Sequence, residues 1–572
     1  MSTTGFHNVQ ASRPAAGLSL PAERATGSER STLPGSLRTL SESLVFLALA
    51  VILFRGFAVE GYMISTGSMA PFLLGFHKQT VCPKCDYRFA YGVAYDASVE
   101  SPEPTGVGPL AVCPNCAATG INIATVPRNE GDQLLVHRHH YLFQNPKRWE
   151  VIVFRNPSQP TQAYVKRLVG LPGESIQVIG GDVYIDGEIA RKDLNACRST
   201  RINVFDDTHR PQDDPTWKER WFAVDRSETD ARQPRWESTE NGYVIEAGGG
   251  DSEAPIAWLD YRHFIRSGGE FVTRVALPDG WPKDIDLPGS TSAVQYDADA
   301  EELRCVGCLS ADWCDRLLSA AGQTHPNFSR AILTLYDESH LAPITDQYAY
   351  NPVYLKVDHH VVPDLMLSAN VQLGGDQGEL VLQMTDGREL VACVFDNSQR
   401  TVELLVESAG DAVRTAAWPL VLDEGPVLIE MSQFDRQVLV AVNGQLLFEP
   451  WTYEDGDVDE MALRRPVRIG VRNLAARLAD LKLSRDIYYT AGKGLHAIDE
   501  PCQLHPEEYF VLGDNSPVSL DSRSWSDPAV PAILLLGKPF LVHLPSRPGK
   551  VRIGDHTVHV RIPDVTRIRY IQ

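Results

Sequence analysis

The sequence predicts a mainly β protein carried behind one apolar helix, with a β-sandwich inserted in its second half. Three observations lead there. A single long apolar run stands near the amino terminus. Short alternating segments bounded by turn residues fill much of the chain after that run, and from about 345 to 490 strands and turns recur at sandwich spacing. At 572 residues the chain is too long for one hydrophobic core, so several domains are expected. Its formal net charge of -21 supplies no basic footprint, so no nucleic-acid partner is expected.

Residues 1–36 are rich in Ser, Thr, Pro, Gly and Ala without apolar period, and read as a flexible cytoplasmic tail. Residues 37–62 read as a transmembrane helix. Their core is Leu44-Val-Phe-Leu-Ala-Leu-Ala-Val-Ile-Leu-Phe54, which Gly56-Phe-Ala-Val59 extends past Arg55. About 20 residues suffice to cross a ~30 Å hydrocarbon layer, and an arginine near one end can reach the headgroups. A buried core helix and a cleaved export signal compete with that reading. The long polar lead and the lack of a small-x-small site after the run speak against the signal. Arg13, Arg24, Arg30 and Arg38 precede the run and favour a cytoplasmic amino terminus.

Residues 63–200 contain β-type runs at 132–136, 150–154 and 163–169, and a hairpin over 182–190 turning at Asp186-Gly187. Residues 201–344 show no assignable pattern. Residues 345–490 carry strands at 379–384, 402–406 and 427–431 and a hairpin around Asn443-Gly444. The closing strands of this block resemble those of concanavalin A-like jelly rolls. Such a sandwich implies a glycan or protein ligand, but no aromatic or calcium-ligand cluster in the sequence singles out a site. Residues 491–572 complete the chain.

Three motifs carry chemistry. Ile64-Ser-Thr-Gly-Ser-Met-Ala-Pro71 follows the apolar run closely. Tyr164-Val-Lys-Arg-Leu-Val-Gly-Leu-Pro-Gly-Glu174 comes next, and Gly513-Asp-Asn-Ser-Pro-Val-Ser-Leu-Asp-Ser-Arg523 stands much later. In this order behind a span they resemble the bacterial signal peptidase I family, over roughly residues 40–80, 125–192 and 505–548, which implies that residues 63–200 and 491–572 are the first and second parts of one catalytic core. The resemblance implies Ser68 as nucleophile and Lys166 as general base. It implies that Thr66 helps to hold the oxyanion, that Ser519 orients the lysine, and that Asp514, Asp521 and Arg523 brace the site. Ile64, Met69 and Tyr164 are candidate walls of a substrate pocket. Phe72 and Glu174 depart from the family's usual threonine and aspartate. Lysine at 166, where the endoplasmic-reticulum branch has histidine, implies a site on the outer face of the cytoplasmic membrane. Signal peptides of exported precursors are the implied substrates, cut after small residues, with no cofactor for catalysis.

The chemistry asks for the same residue types. A serine hydroxyl is a poor nucleophile until a base takes its proton. An ordinary lysine is charged at neutral pH, so it must be buried to serve. Strand alternation puts Tyr164, Lys166 and Leu168 on one face. Taken singly, Ser68 could be a turn residue, Lys166-Arg167 a solvated strand face, and Asp521–Arg523 a surface pair. Two other readings compete for the whole chain: an inactive membrane-tethered binding protein using the sandwich, and a self-cleaving repressor. The acidic charge argues against the second.

Cys82-Pro-Lys-Cys85 and Cys113-Pro-Asn-Cys116, within a segment over 80–120, resemble the two knuckles of a zinc ribbon. A structural zinc on Cys82, Cys85, Cys113 and Cys116 is expected, and two Cys-x2-Cys disulfides are the competing reading. Cys305, Cys308 and Cys314 read as free or locally cross-linked thiols. His137, His139 and His140 read as a polar strand face on which 137 and 139 align.

Overall fold

The computed structural model describes residues 35–57, 59–93, 110–212, 214, 217–224, 235–248, 254–266, 272–286, 294–352, 358–375, 377–408, 412–492, 494–553 and 556–571. Most of the tail over 1–36 lies outside them. The chain divides into two units, residues 1–57 and 58–572.

In the first unit a helix runs over Gly35–Phe57, with Leu44, Phe46, Leu47 and Leu49 exposed. Among the described residues no helix is long and apolar enough to cross a membrane. The side chains at 50 and 52–58 lie outside that description. The sequence predicts helix to 62, but strand Val59–Met63 replaces its end, because the backbone there is taken up by pairing with Gln133–His137.

The second unit is mainly β. Its catalytic-motif sheet has eight strands, with Gln159–Gly170 hydrogen-bonded between Val151–Asn156 and Glu508–Leu512. Alternation sorts its side chains as the sequence suggested. Tyr164 and Leu168 pack with Ile152, Phe154 and Val511, while Val165 and Val169 join other clusters. Strand Leu535–Val542 slots between Gln133–His137 and Val151–Asn156. The end of the chain therefore returns to complete a sheet begun before residue 170. The hairpin after Gly181 turns at Asp186 (φ 52°) and Gly187 (φ 89°), both left-handed as a two-residue hairpin requires.

A nine-stranded and a seven-stranded sheet enclose the largest core, which includes Leu367, Val371, Leu382, Phe395, Met431, Val440 and Ile469. They also recruit Ile202–Asp206, Trp221–Ala223, Gly242–Ile245 and Ala257–Tyr261 from the stretch that showed no pattern. These strands are three to five residues long, too short to display a period of their own. Trp221 and Tyr261 are fully buried in the shared core. Beyond them, strands Val272–Ala276, Val294–Asp297 and Glu302–Val306 pack with helices Ala311–Ala321 and Pro326–Ser339 around Leu303, Leu317 and Ile332. Cys305 and Cys314 are buried in that cluster and Cys308 is half-buried, all three unbridged.

The histidine run does not form one strand face. The strand ends at His137, and a short helix begins at His140, leaving His139 in the turn between.

Candidate active site

Four pieces of chain meet at Ser68. The loop carrying it leaves strand Val59–Met63, where Ile64 N–H donates to the Asp132 carbonyl at 2.9 Å. It then turns sharply, with Ala70 N–H to the Gly67 carbonyl at 3.0 Å and Leu73 N–H to the Met69 carbonyl at 2.8 Å. Gly67 is needed there because a Cβ would lie 2.4 Å from the Tyr350 ring. Asn515 clasps the loop twice: its N–H donates to the Ser68 carbonyl and its side-chain amide to the Gly67 carbonyl, both at 3.0 Å. Ser68 itself is half-buried, with Thr66 exposed beside it.

Lys166 reaches this loop from the central strand. Its Nζ lies 2.5 Å from Ser68 Oγ, and the side chain is 4% exposed. Burial pushes its pKa down from 10.5 to about 8, against the pull of the Asp521 and Asp514 carboxylates; Arg523 assists the fall. At that pKa roughly a tenth of the amine is neutral at pH 7 and half at pH 8, and a neutral amine at that distance can accept the hydroxyl proton. Thr66 Oγ1 stands 3.4 Å from Ser68 Oγ. The Ser68 N–H has no hydrogen bond among the described residues, which leaves it open to an incoming oxygen.

Two buried arginines fix the walls, each using all five N–H donors. Arg167 pairs with Asp514 at 2.8 and 2.6 Å and donates to the Trp149 carbonyl and to Ser199 Oγ and carbonyl. Arg523 pairs with Asp521 at 2.9 and 2.8 Å and donates to the Thr490 carbonyl and to Ser516 Oγ and carbonyl. Asp521 also accepts the Gly513 N–H at 3.0 Å. Burial opposes the charge on Asp521, but Arg523 overrides it and holds the carboxyl below its ordinary value. A planar fork facing a carboxylate gives geometry as well as energy, so the Arg167 pair sets 513–523 against the lysine strand, while the Arg523 pair holds the turn within 513–523 and ties it to Thr490.

Other expected residues fall elsewhere. Ser519 Oγ does not bond Lys166; it is buried without a partner among the described residues, against Gly513. Ile64 and Met69 are 6% and 1% exposed and pack with Leu73, Leu134 and Val153, Ile64 held by its bond to Asp132 and Met69 by the Met69–Leu73 turn. They are core rather than open pocket wall. Tyr164 lies in a separate cluster with Phe154 and Trp525, its ring 5.8 Å from Lys166 Nζ. Glu174 takes a bidentate pair from Arg148 and the Leu171 N–H, closing the turn after the lysine strand.

Sequence reasoning missed several supports. Tyr348 donates to the Asp514 carbonyl at 2.7 Å, and Asn351 exchanges amide bonds of 2.9 and 2.7 Å with Asn515. Neither belongs to a motif. Arg167 and Asn515 stand inside the catalytic motifs, and their chemistry was the available signal.

The four thiols of Cys82, Cys85, Cys113 and Cys116 converge in one buried cluster, all Sγ atoms within 4.8 Å. Cys82–Cys116 and Cys85–Cys113 are separated by 3.6 and 3.7 Å. Four sulfurs at ~2.3 Å from a tetrahedral ion stand ~3.8 Å apart, so the donor set fits zinc, and no pair is joined as a disulfide. With four thiolates the shell would be full, and a metal there would fold the knuckles rather than act on substrate.

Comparison with known proteins bears on this geometry. The family described as Signal peptidase, peptidase S26, matches residues 122–233 and 436–544. The matched stretches make up under half of the chain; they take in Lys166, Asp514, Ser519, Asp521 and Arg523 but not Thr66 and Ser68, which the fold brings in beside Lys166. Signal peptidase I of Leptolyngbya laminosa is 43% identical over 65 residues, covering 10% of this chain and 32% of the relative. Probable signal peptidase I-2 of Synechocystis sp. is 34% identical over 64 residues, covering 10% and 29%. The chain thus spans about a third or less of the curated relatives it matches. Among solved structures, carbohydrate binding module CBM66 from Bacillus subtilis shares 9% identity over 21% of this chain and 74% of its own, with a TM-score of 0.17. At that score the likeness says nothing of the sandwich or its ligand.

Proposed function

We propose that this chain is a membrane-anchored serine endopeptidase that removes signal peptides from exported precursors, with Ser68 as nucleophile and Lys166 as general base. The observation that carries the reading is the 2.5 Å contact between Lys166 Nζ and Ser68 Oγ, with the lysine buried and its pKa lowered to about 8. Neutral Lys166 takes the Ser68 proton as Oγ attacks the scissile carbonyl. The Ser68 N–H and the Thr66 hydroxyl receive the developing oxyanion. Protonated Lys166 then protonates the leaving amine, and the same lysine activates the water that releases the acyl group. Asp514, Asp521 and Arg523, with Arg167, hold these parts in register. A structural zinc on the four cysteines takes no part in the reaction.

The apolar helix supplies the anchor, with the amino terminus in the cytoplasm and the domain after residue 58 at the outer face of the membrane. Only ten residues separate Phe57, the last residue of that helix, from Ser68 in the sequence, as expected of a protease whose precursors are held at a bilayer. An inactive tether is disfavoured, since nucleophile and base are both present and in contact. The reading is tested by incubating detergent-solubilised full chain with a precursor bearing an Ala-x-Ala site. Release of the signal peptide by wild type and not by Ser68→Ala supports it; equal release by Ser68→Ala overturns it.

A further inference from the structure

Where the hairpin after Gly181 meets the sandwich, Asp182, Asp364 and Asp435 bring carboxylate oxygens within 4.8 Å of one another. The three come from separate elements. Asp182 opens strand Asp182–Ile185, Asp364 precedes strand Leu365–Gly374, and Asp435 sits in the turn between Val427–Phe434 and Gln437–Val442. A cavity of about 40 Å³ at this junction is lined by Asp182, Asp364 and Asp486, with Arg388 and Arg436. Independently of that trio, Asp486 is 3% exposed and its Oδ1 is buried with no hydrogen-bond partner.

The protein's own cations are engaged already. Lys192 Nζ binds both oxygens of Asp435, at 2.8 and 3.0 Å, and Asp486 Oδ2 at 2.7 Å. Arg436 donates to the Tyr184 hydroxyl at 2.5 Å and stands 3.8 Å from Asp455; Arg388 pairs with Asp455 at 2.8 Å and Asp386 at 3.6 Å. Asp364 Oδ2 accepts the Asp435 N–H at 2.8 Å, and the Asp182 carboxylate has no hydrogen bond or ion pair among the described residues. Lys192, with Arg388 and Arg436 at the cavity wall but shared with Asp386 and Asp455, faces four crowded carboxylates, an excess of negative charge that an entering cation would offset.

We propose that this junction binds one calcium ion, held by Asp182, Asp364, Asp435 and the free oxygen of Asp486. Calcium takes oxygen ligands at ~2.3–2.6 Å, so oxygens on opposite sides of it stand ~4.6–5.2 Å apart, which accommodates the trio. Magnesium, at ~2.1 Å and reluctant to shed water, wants a tighter octahedron. The cavity has room for about one ion or one water. The ion fastens the core hairpin to the sandwich at the foot of both arginine braces. Lys192 leads into helix Leu194–Thr200, whose Ser199 holds Arg167, and Asp486 leads through Tyr489 to Thr490, which holds Arg523.

The test is calcium titration of the full chain in detergent, dialysed calcium-free, read by calorimetry and by thermal unfolding. Wild type should show one saturable site and a Tm that rises with calcium, with magnesium far weaker. Asp182→Asn should weaken binding at least about tenfold, and Asp182→Asn with Asp364→Asn should abolish it. Absence of a saturable site in wild type overturns the proposal whatever the variants do. So does unchanged affinity in Asp182→Asn, and magnesium binding of equal strength overturns the choice of calcium.

Discussion

Replacing Gly513 by alanine should disable the site while leaving the fold standing. The glycine is not in a left-handed conformation, so the backbone accepts alanine and the effect is steric. A Cβ there would lie 2.6 Å from the Ser68 carbonyl oxygen, 2.2 Å from Ser519 Oγ and 2.7 Å from Ser519 Cβ. The Ser519 hydroxyl can rotate away, but the Ser68 carbonyl is backbone. Relaxing that contact to an ordinary C···O distance of ~3.3 Å moves the nucleophile loop by about 0.7 Å. Asn515 N–H, bonded to the same carbonyl at 3.0 Å, resists the movement. Overpacking of this kind destabilises by about 1–3 kcal/mol, and a misplacement near 1 Å at a reacting atom costs about 10²-fold in rate. Initial rates on a peptide spanning an Ala-x-Ala site, measured beside thermal unfolding, should show kcat reduced by about 30- to 100-fold in a protein that still melts cooperatively. Wild-type kcat in folded Gly513→Ala would refute the placement of Ser68 against this loop.

Other consequences are equally concrete. Because Lys166 must be neutral to act and burial sets its pKa at about 8, kcat/KM should climb with pH, reach half its plateau near 8 and stay high above it; a profile falling over that range contradicts the lysine's role. Asp514→Ala leaves Arg167 buried and uncompensated, so denaturant unfolding should show a loss of about 3–5 kcal/mol, and a loss below about 1 would mean the pair is dispensable. Metal analysis should find one zinc per chain bound by the cysteine cluster, and Cys85→Ser should lose it together with several degrees of Tm; a metal-free protein with four oxidised cysteines would restore the disulfide reading.

Much of this is legible in the sequence, for identifiable reasons. Asp186-Gly187 and Asn443-Gly444 specify hairpins through local backbone demands, and both turns are present with left-handed residues. Ser68 and Lys166 stand out because serine chemistry needs a base and the motifs supply candidates. What escapes is whatever depends on contacts distant in sequence. Tyr348 and Asn351 carry no local signal, yet they support Asp514 and Asn515 directly. Arg167 hides because a basic pair in a strand resembles a solvated face, and its partner lies 347 residues away. Ile64 and Met69 read as pocket walls from their closeness to Ser68, but both pack into the core beside Leu73 and Leu134. The short strands over 202–261 are too short for periodicity and exist because the sandwich sheets were there to pair with them.

The central claim is that Lys166 removes the Ser68 proton. Its most direct test is the single-turnover rate of Lys166→Ala on the precursor peptide at about pH 10, roughly two units above the lysine's pKa, where the wild-type base is almost wholly neutral. The pairing at 2.5 Å implies a fall of at least about 10²–10⁴-fold with the fold intact by thermal unfolding. Cleavage by folded Lys166→Ala at the wild-type rate would contradict the account.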